Sequence, residues 1–255
     1  MHETPRAAIF GAVLGQRLVV VSDAHLRRET AAAEAGFLDF LEQVPSLGDS
    51  LLINGDLFDF WFSYRRVVPR AGMPVAAALG RLARRIPIVM TGGNHDRWGG
   101  TFWEHDLGIR FFPDEARFRV GSREVLAIHG DGLTDRDWSA RFLQRLTSNP
   151  VTVATFAAIH PDVGHWLVDY LSNWLGSPER DPTVLARSAE RQQAWAEARL
   201  AQDGGLGVIV MGHTHREALT EPLPGRHYLN PGAWFLGNRY AVVGDDVTAL
   251  RSFEG

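Results

Sequence analysis

Short apolar runs recur at residues 18–21, 51–53, 86–90, 125–128 and 208–211, each soon followed by Gly, Asp, Asn or His. Runs this short and this rich in Val, Ile and Leu read as buried strands. Between them the period changes. Residues 31–43 cluster Phe37, Leu38, Phe40 and Leu41, and residues 74–85 set Val75, Leu79 and Leu82 on one face with arginines on the other; both patterns predict amphipathic helices. Residues 110–128 read as short strands with a hairpin turn at Gly121-Ser122. Residues 7–14 read as a first strand rather than a signal peptide, because the stretch is short and has no persuasive cleavage site. From 134 to 203 the periodicity is helical, broken by Pro150, Pro161, Pro178 and Pro182. The chain therefore reads as one α/β domain over 1–255 with a helical insertion at about 134–203. That insertion is either a lid or a layer packed on the sheet.

Each predicted strand delivers a polar motif: Asp23-Ala24-His25, Gly55-Asp56 with Asp59 beyond it, Gly93-Asn94-His95-Asp96, His129-Gly130-Asp131, and Gly212-His213-Thr214-His215. Loops at strand ends are where open α/β sheets gather their ligands. The side chains supply carboxylate oxygens, an amide oxygen and imidazole nitrogens, a mixture suited to two divalent transition metals side by side. At Asp23-x-His25 the skipped residue predicts two side chains on the same side of an extended strand end. Asp56, with two oxygens, is the natural bridge between ions. Seven residues make up the set: Asp23, His25, Asp56, Asn94, His129, His213 and His215. The insertion falls between the fourth and fifth motifs, which places it over the site.

Composition narrows the chemistry. The chain has no Cys, which excludes disulfides, zinc-thiolate sites and thiol nucleophiles. All 26 basic residues are Arg, so Schiff-base catalysis and a phosphate-loop lysine are also excluded. A net charge of -4 provides no global footprint for nucleic acid. No run of eighteen apolar residues occurs, so no segment is expected to span a membrane, and a cytoplasmic protein is expected.

The five motifs in this order resemble those of the calcineurin-like metallophosphoesterase superfamily. The resemblance implies a four-layer α/β/β/α sandwich. It also implies that Asp23, His25, Asp56 and His215 hold one metal while Asp56, Asn94, His129 and His213 hold the other, with manganese the commonest ion and iron or zinc alternatives. Ions about 3.5–4 Å apart would activate a water for in-line attack on phosphorus. His95 is then free to protonate a leaving group or bind a phosphoryl oxygen. The superfamily pattern gives Asp59 as the carboxylate that orients it.

Four stretches further resemble the UDP-2,3-diacylglucosamine hydrolases of lipid A biosynthesis: residues 21–26, residues 55–61, His129-Gly130-Asp131 with Thr134-Asp135, and the insertion ahead of residues 211–216. That resemblance implies cleavage of a UDP-sugar pyrophosphate to UMP and a lipid 1-phosphate, with peripheral contact at the inner membrane. The main branch of that family carries Arg where this chain has His95. A phosphate leaving group, with its last pKa near ~6, needs no proton, whereas an alkoxide does. The His therefore keeps simple phosphomonoesters and phosphodiesters in play, and a non-catalytic scaffold on the same fold is a remote third reading. Arg97 could restore the guanidinium charge or be a surface ion pair. Tyr64 and Arg65, with Trp61, Phe62 and Arg66, either line a site for an amphipathic anion or belong to the core, and Trp166 or Trp174 either face acyl chains or lipid or simply pack together.

Overall fold

The computed structural model describes residues 8–26, 31–133, 147, 149–175 and 182–254. Two mixed six-stranded sheets form its centre. The first contains β2 (Arg17–Val21), β3 (Ser50–Asn54), β4 (Ile88–Thr91), β5 (Arg110–Phe112), β11 (Arg239–Gly244) and β12 (Thr248–Ser252), in the order β12-β11-β2-β3-β4-β5. The second contains β1 (Ala8–Gly15), β6 (Glu115–Val120), β7 (Arg123–Ile128), β8 (Leu206–Val210), β9 (Ala218–Leu223) and β10 (Arg226–Asn230), in the order β1-β6-β7-β8-β10-β9. β2, β3 and β4 are parallel neighbours, as are β7 and β8. These are the five strands that the motifs follow.

Strands buried on both faces read as continuous apolar runs, and the period of two shows which face each residue serves. Leu18, Val20, Leu52 and Val89 point into a core shared with Phe118, Val125, Val208 and Val210 of the other sheet. Val19, Val21, Leu51, Ile53, Ile88 and Met90 point the opposite way, onto Phe37, Phe40, Val75 and Leu79. Those residues belong to the helices α1 (Ala31–Leu47) and α2 (Met73–Leu82). The outer face of the second sheet packs Leu126, Ile209 and Met211 against Ala196 and Leu200. The layers are thus helix, sheet, sheet, helix, as the resemblance implied.

The predicted helices differ mainly at their ends. α1 runs past 43 to Leu47 and takes Pro45 into its last turn, where the ring removes one donor near the terminus. α2 closes at Leu82, and Arg85 N bonds Leu82 O in a following turn. Gly121, at φ 55°, makes the β6–β7 hairpin turn.

In the insertion each of three prolines opens a helix: α3 (Pro150–Ala157), α4 (Pro161–Leu175) and α5 (Pro182–Gln202). Pro in the first turn removes a donor that would have had no partner, and Asn149 Oδ1 caps α3 by accepting from Val151 N at 2.9 Å. Pro178 and residues 134–146 lie outside the described residues. The insertion divides: α5 packs on the second sheet as the fourth layer, whereas Phe156 of α3 and His165 of α4 meet Phe60 of the motif loop. No helix among the described residues is long and apolar enough to cross a membrane.

Candidate metal centre

The loops that leave the five strands are held together through their backbones. Asp23 N bonds Gly55 O at 3.1 Å, His25 N bonds Asp56 O at 3.0 Å, and Gly212 N bonds His129 O at 2.9 Å. Side chains complete the web: His213 N donates to Asp23 Oδ1 at 3.1 Å and His95 N to Asp56 Oδ1 at 3.0 Å. Such close loops need residues without Cβ. A methyl at Gly212 would lie 2.7 Å from Asp23 Oδ2, and one at Gly93 would overlap Asp56 Oδ1.

The ligand geometry departs from the expected extended strand ends. Asp23, His25, Asp56, His213 and His215 all have positive φ, between 45° and 68°. Only one other described non-glycine residue, Asn238, shares that region. Left-handed backbone costs of order 1 kcal/mol or more per non-glycine residue and gathers at functional sites. Asp23 and His25 still converge, but through tight left-handed turns rather than a straight strand.

Three groups of side chains could each hold an ion, with donor atoms all within 4.8 Å of one another: Asp23, His25 and His215; His25, Asp56 and His95; Asp56, His129 and His213. Asp56 belongs to two of these groups. Its Oδ2 lies 3.2 Å from His129 Nε2 and 3.7 Å from His25 Nε2. Asp23 Oδ1 is 3.5 Å from His215 Nε2, and Asn94 Oδ1 is 3.2 Å from His213 Nδ1. His25 Nε2 is buried with no hydrogen-bond partner, and His129 Nε2 is buried facing the Asp56 and Asp23 carboxylates. A buried polar atom is rarely left without a partner, and a divalent ion at each of the two nitrogens would supply one. The donor set fits two divalent ions.

The second nitrogen of each of these rings is fixed by its surroundings. His129 Nδ1 bonds the Asn54 carbonyl at 2.8 Å, and His25 Nδ1 pairs with Asp59 Oδ1 at 3.0 Å. An imidazole held in this way presents its free nitrogen to a metal. The expected pairing of the Asp59 carboxylate with His95 is therefore corrected: His95 Nδ1 meets the backbone carbonyl of Asp59 at 2.6 Å, while the carboxylate is turned to His25.

Charge follows from this packing. Burial opposes ionisation of Asp56, but His129 and its other imidazole neighbours carry the carboxyl well below its usual range. Burial likewise opposes a charge on His129, yet Asp56 raises it well above the usual imidazole value. Asp23 is also lowered despite burial, through His215 and His129. Asp96 is pushed up to about 6 by burial and then by Asp56, against the donors Gly93 N and Leu57 N. Asp96 holds three loop N–H groups, of Asp56, Leu57 and Gly93, at 2.7–3.2 Å. Its role as a strut went unread in the sequence, although it stands inside a recognised motif.

The residues expected to bind substrate divide differently. Arg97 is largely buried, pairs closely with Asp131 and lies 3.8 Å from Asp114. Its charge is thus matched by carboxylates, which corrects the idea of a free guanidinium. Trp61 and Phe62 are core residues. Tyr64 turns its hydroxyl into a buried spot without a partner, leaving Arg65 and Arg66 as the exposed members of the group. The side chain of Trp174 lies outside the described set. Phe235 was not anticipated; its ring meets those of His25 and His215 edge-on, with centroids 5.4 and 5.1 Å away.

The chain is similar to known proteins along most of its length. The family model for calcineurin-like phosphoesterases matches residues 16–217. A UDP-2,3-diacylglucosamine hydrolase of Yersinia pestis is 29% identical over 236 residues, covering 90% of this chain and 96% of its own. One from Serratia proteamaculans is 28% identical over 239 residues, covering 91% and 97%. Among solved structures, an archaeal phosphodiesterase aligns with TM-score 0.48 at 14% identity, covering 93% of this chain and 98% of its own. The phosphoesterase Yfce from E. coli aligns with TM-score 0.43 at 15% identity, covering 93% and 100%. With its motifs on neighbouring strand ends and the family model spanning most of its length, the chain belongs to the calcineurin-like phosphoesterase family and is a metal-dependent hydrolase.

Proposed function

We propose that the protein cleaves the pyrophosphate of UDP-2,3-diacylglucosamine, releasing UMP and 2,3-diacylglucosamine 1-phosphate. The names and coverage of the relatives support this reading. The observation that carries it is an apolar cavity of about 100 Å³ lined by Phe60, Phe62 and Trp98 from the motif loops and by Thr147, Thr152, Val153, Phe156 and Val168 from the insertion. Phe60 follows Asp59 directly, so the cavity begins beside the His95 contact. An acyl chain leaving water for such a space gains about 0.8 kcal/mol per CH₂.

In this reading Asp23, His25, Asp56 and His215 hold one divalent ion and Asp56, Asn94, His129 and His213 the other, with manganese as the ion. Such a pair supplies electrophilic stabilisation and an acidified water. The residues do the rest. Asp56 and Asp23 keep the site anionic for cations, and the Asp59 carboxylate fixes His25. His95 faces the substrate with Nδ1 committed to the Asp59 carbonyl, so Nε2 is its free nitrogen. In the imidazolium form that nitrogen donates, and it can then hydrogen-bond a phosphoryl oxygen or give its proton to a leaving group. Arg65, with Arg66 beside it, is an exposed guanidinium available to the pyrophosphate.

A second reading follows from His95 itself. Arg97 is matched by Asp131 and so does not replace the Arg found in the main branch of the hydrolase family, and a proton donor suits alkoxide leaving groups. A general phosphodiesterase or phosphomonoesterase is therefore the alternative.

α4 also bears on location. Val163, Trp166 and Tyr170 recur at helical spacing and are exposed, as is Val151 on α3. Exposed apolar residues on helices beside the cavity support peripheral membrane contact.

The test is turnover by the manganese-loaded protein of UDP-diacylglucosamines of decreasing acyl length, beside bis-p-nitrophenyl phosphate. The proposal expects KM to rise steeply as the chains shorten. Preference for the small diester without response to acyl length would reject the lipid substrate and leave the second reading.

A further inference from the structure

The turn Trp234–Leu236 presents a buried residue followed by two exposed ones. Trp234 is 1% exposed and stacks among aromatics, with its ring centroid 4.6 Å from that of Phe40 and 5.2 Å from that of Phe37. Its N–H bonds Ser22 O at 3.1 Å, beside Asp23, and its carbonyl accepts from Asn238 N at 2.7 Å. Gly237 and Asn238, at φ 124° and 53°, turn the chain back into β11. The turn is thus anchored in the core at one end and tied to the metal loop. Yet Phe235 is 45% and Leu236 59% exposed.

Packing does not account for those two side chains, since Trp234 already fills the core. Location does. Of the exposed aromatics among the described residues, Trp166 and Tyr170 stack on each other, whereas Phe235 touches His25 and His215. Contacts run from the insertion through Phe156 to Phe60, from the loop carrying Phe60 to His95, and from His95 through His25 to Phe235. A substrate whose phosphorus lies at the metal residues can therefore send one arm to the cavity and the other to this lip. A single half-exposed ring cannot enclose an acyl chain. It can cover one face of a flat ring and leave that ring's polar edge in water, which is how proteins hold bases without reading them.

We infer that Phe235, supported by Leu236, is the subsite on which the base of a nucleotide substrate stacks, with its phosphate at His25 and His215. The inference rests on the phosphoester reading and deepens it on the nucleotide side; it does not require the lipid.

The test compares binding of UMP and of ribose 5-phosphate to the manganese-loaded protein by calorimetry, since both carry the phosphate and sugar and only UMP carries the base. The wild-type protein should prefer UMP. In Phe235→Leu, which retains an apolar contact with the histidines, that preference should fall about tenfold, a typical loss for one stacked base; Phe235→Trp should retain it. Equal binding of the two ligands by the wild type, or an undiminished preference in Phe235→Leu, would overturn the subsite. Turnover of UDP-diacylglucosamine is measured separately. Its absence with the UMP preference intact rejects the lipid substrate alone, and its presence with a preference indifferent to Phe235 rejects the subsite alone.

Discussion

At the scale of single residues, the pairing of Asp59 with His25 changes what its loss should do. A carboxylate behind a metal-binding imidazole typically contributes 10–100-fold in metal affinity. Asp59→Asn should therefore lower manganese affinity by about that range, read by titration, and activity should return at high manganese. A shifted pH–rate profile at unchanged metal affinity would instead restore Asp59 as the partner of His95. The proton on His129 allows a second prediction. Its pKa is raised above the ordinary 6.5 while that of Asp56 is lowered below the ordinary 3.8. In the metal-free fold the His129 contribution is complete below 6.5 and fades as pH rises through the elevated value, whereas the Asp56 contribution holds above 3.8 and fades on acidification. A metal ligand must first lose its proton. Manganese affinity should therefore climb with pH across neutrality and proton release should accompany binding, as calorimetry in buffers of different ionisation heat would show. Binding without proton uptake by the buffer would contradict a charged His129.

At the scale of elements, the strands and their motifs were legible because both are local: a run of Val and Ile followed by Gly and a ligand needs no distant partner. Failures came where the partner was distant. Asp131 lies 34 residues from Arg97, so nothing near Arg97 revealed that its charge was matched. Asp59 offers both a carboxylate and a carbonyl, and only the path of the loop decides which of them meets His95. The sequence left α5 open between lid and packed layer because its buried face, Ser188, Gln192, Ala196 and Leu200, contains two polar residues and one small one. The Arg97–Asp131 pair joins the loops after β4 and β7, and breaking a buried pair on one side costs about 3–5 kcal/mol. Arg97→Leu should lower the melting temperature accordingly, and adding Asp131→Leu should recover much of the loss. An unchanged melting temperature in the single variant would mean that the pair is solvated and unimportant.

At the scale of the whole molecule, the surface of α4 bears on where the protein works. With a net charge of -4, attraction to an anionic bilayer cannot be general, so any binding should depend on apolar contact and respond weakly to salt. The chain contains eight Trp, which makes fluorescence ambiguous; sedimentation with phospholipid vesicles is the cleaner measurement. Trp166→Ser should reduce the bound fraction severalfold, and salt-sensitive binding indifferent to Trp166 would point to a basic patch instead. The order of the strands has a consequence of another kind. β7 and β8 are parallel neighbours, and parallel neighbours cannot be joined by a tight turn; a long crossover had to exist there whatever the protein did. α5 meets that requirement by itself, and lengthening the excursion before it costs only about 0.6 kcal/mol per doubling of a flexible loop. α3 and α4 therefore occupy a stretch in which descent with modification can add, remove or reshape helices while the sheets and the metal loops stay as they are, so substrate range can diverge among relatives faster than chemistry does.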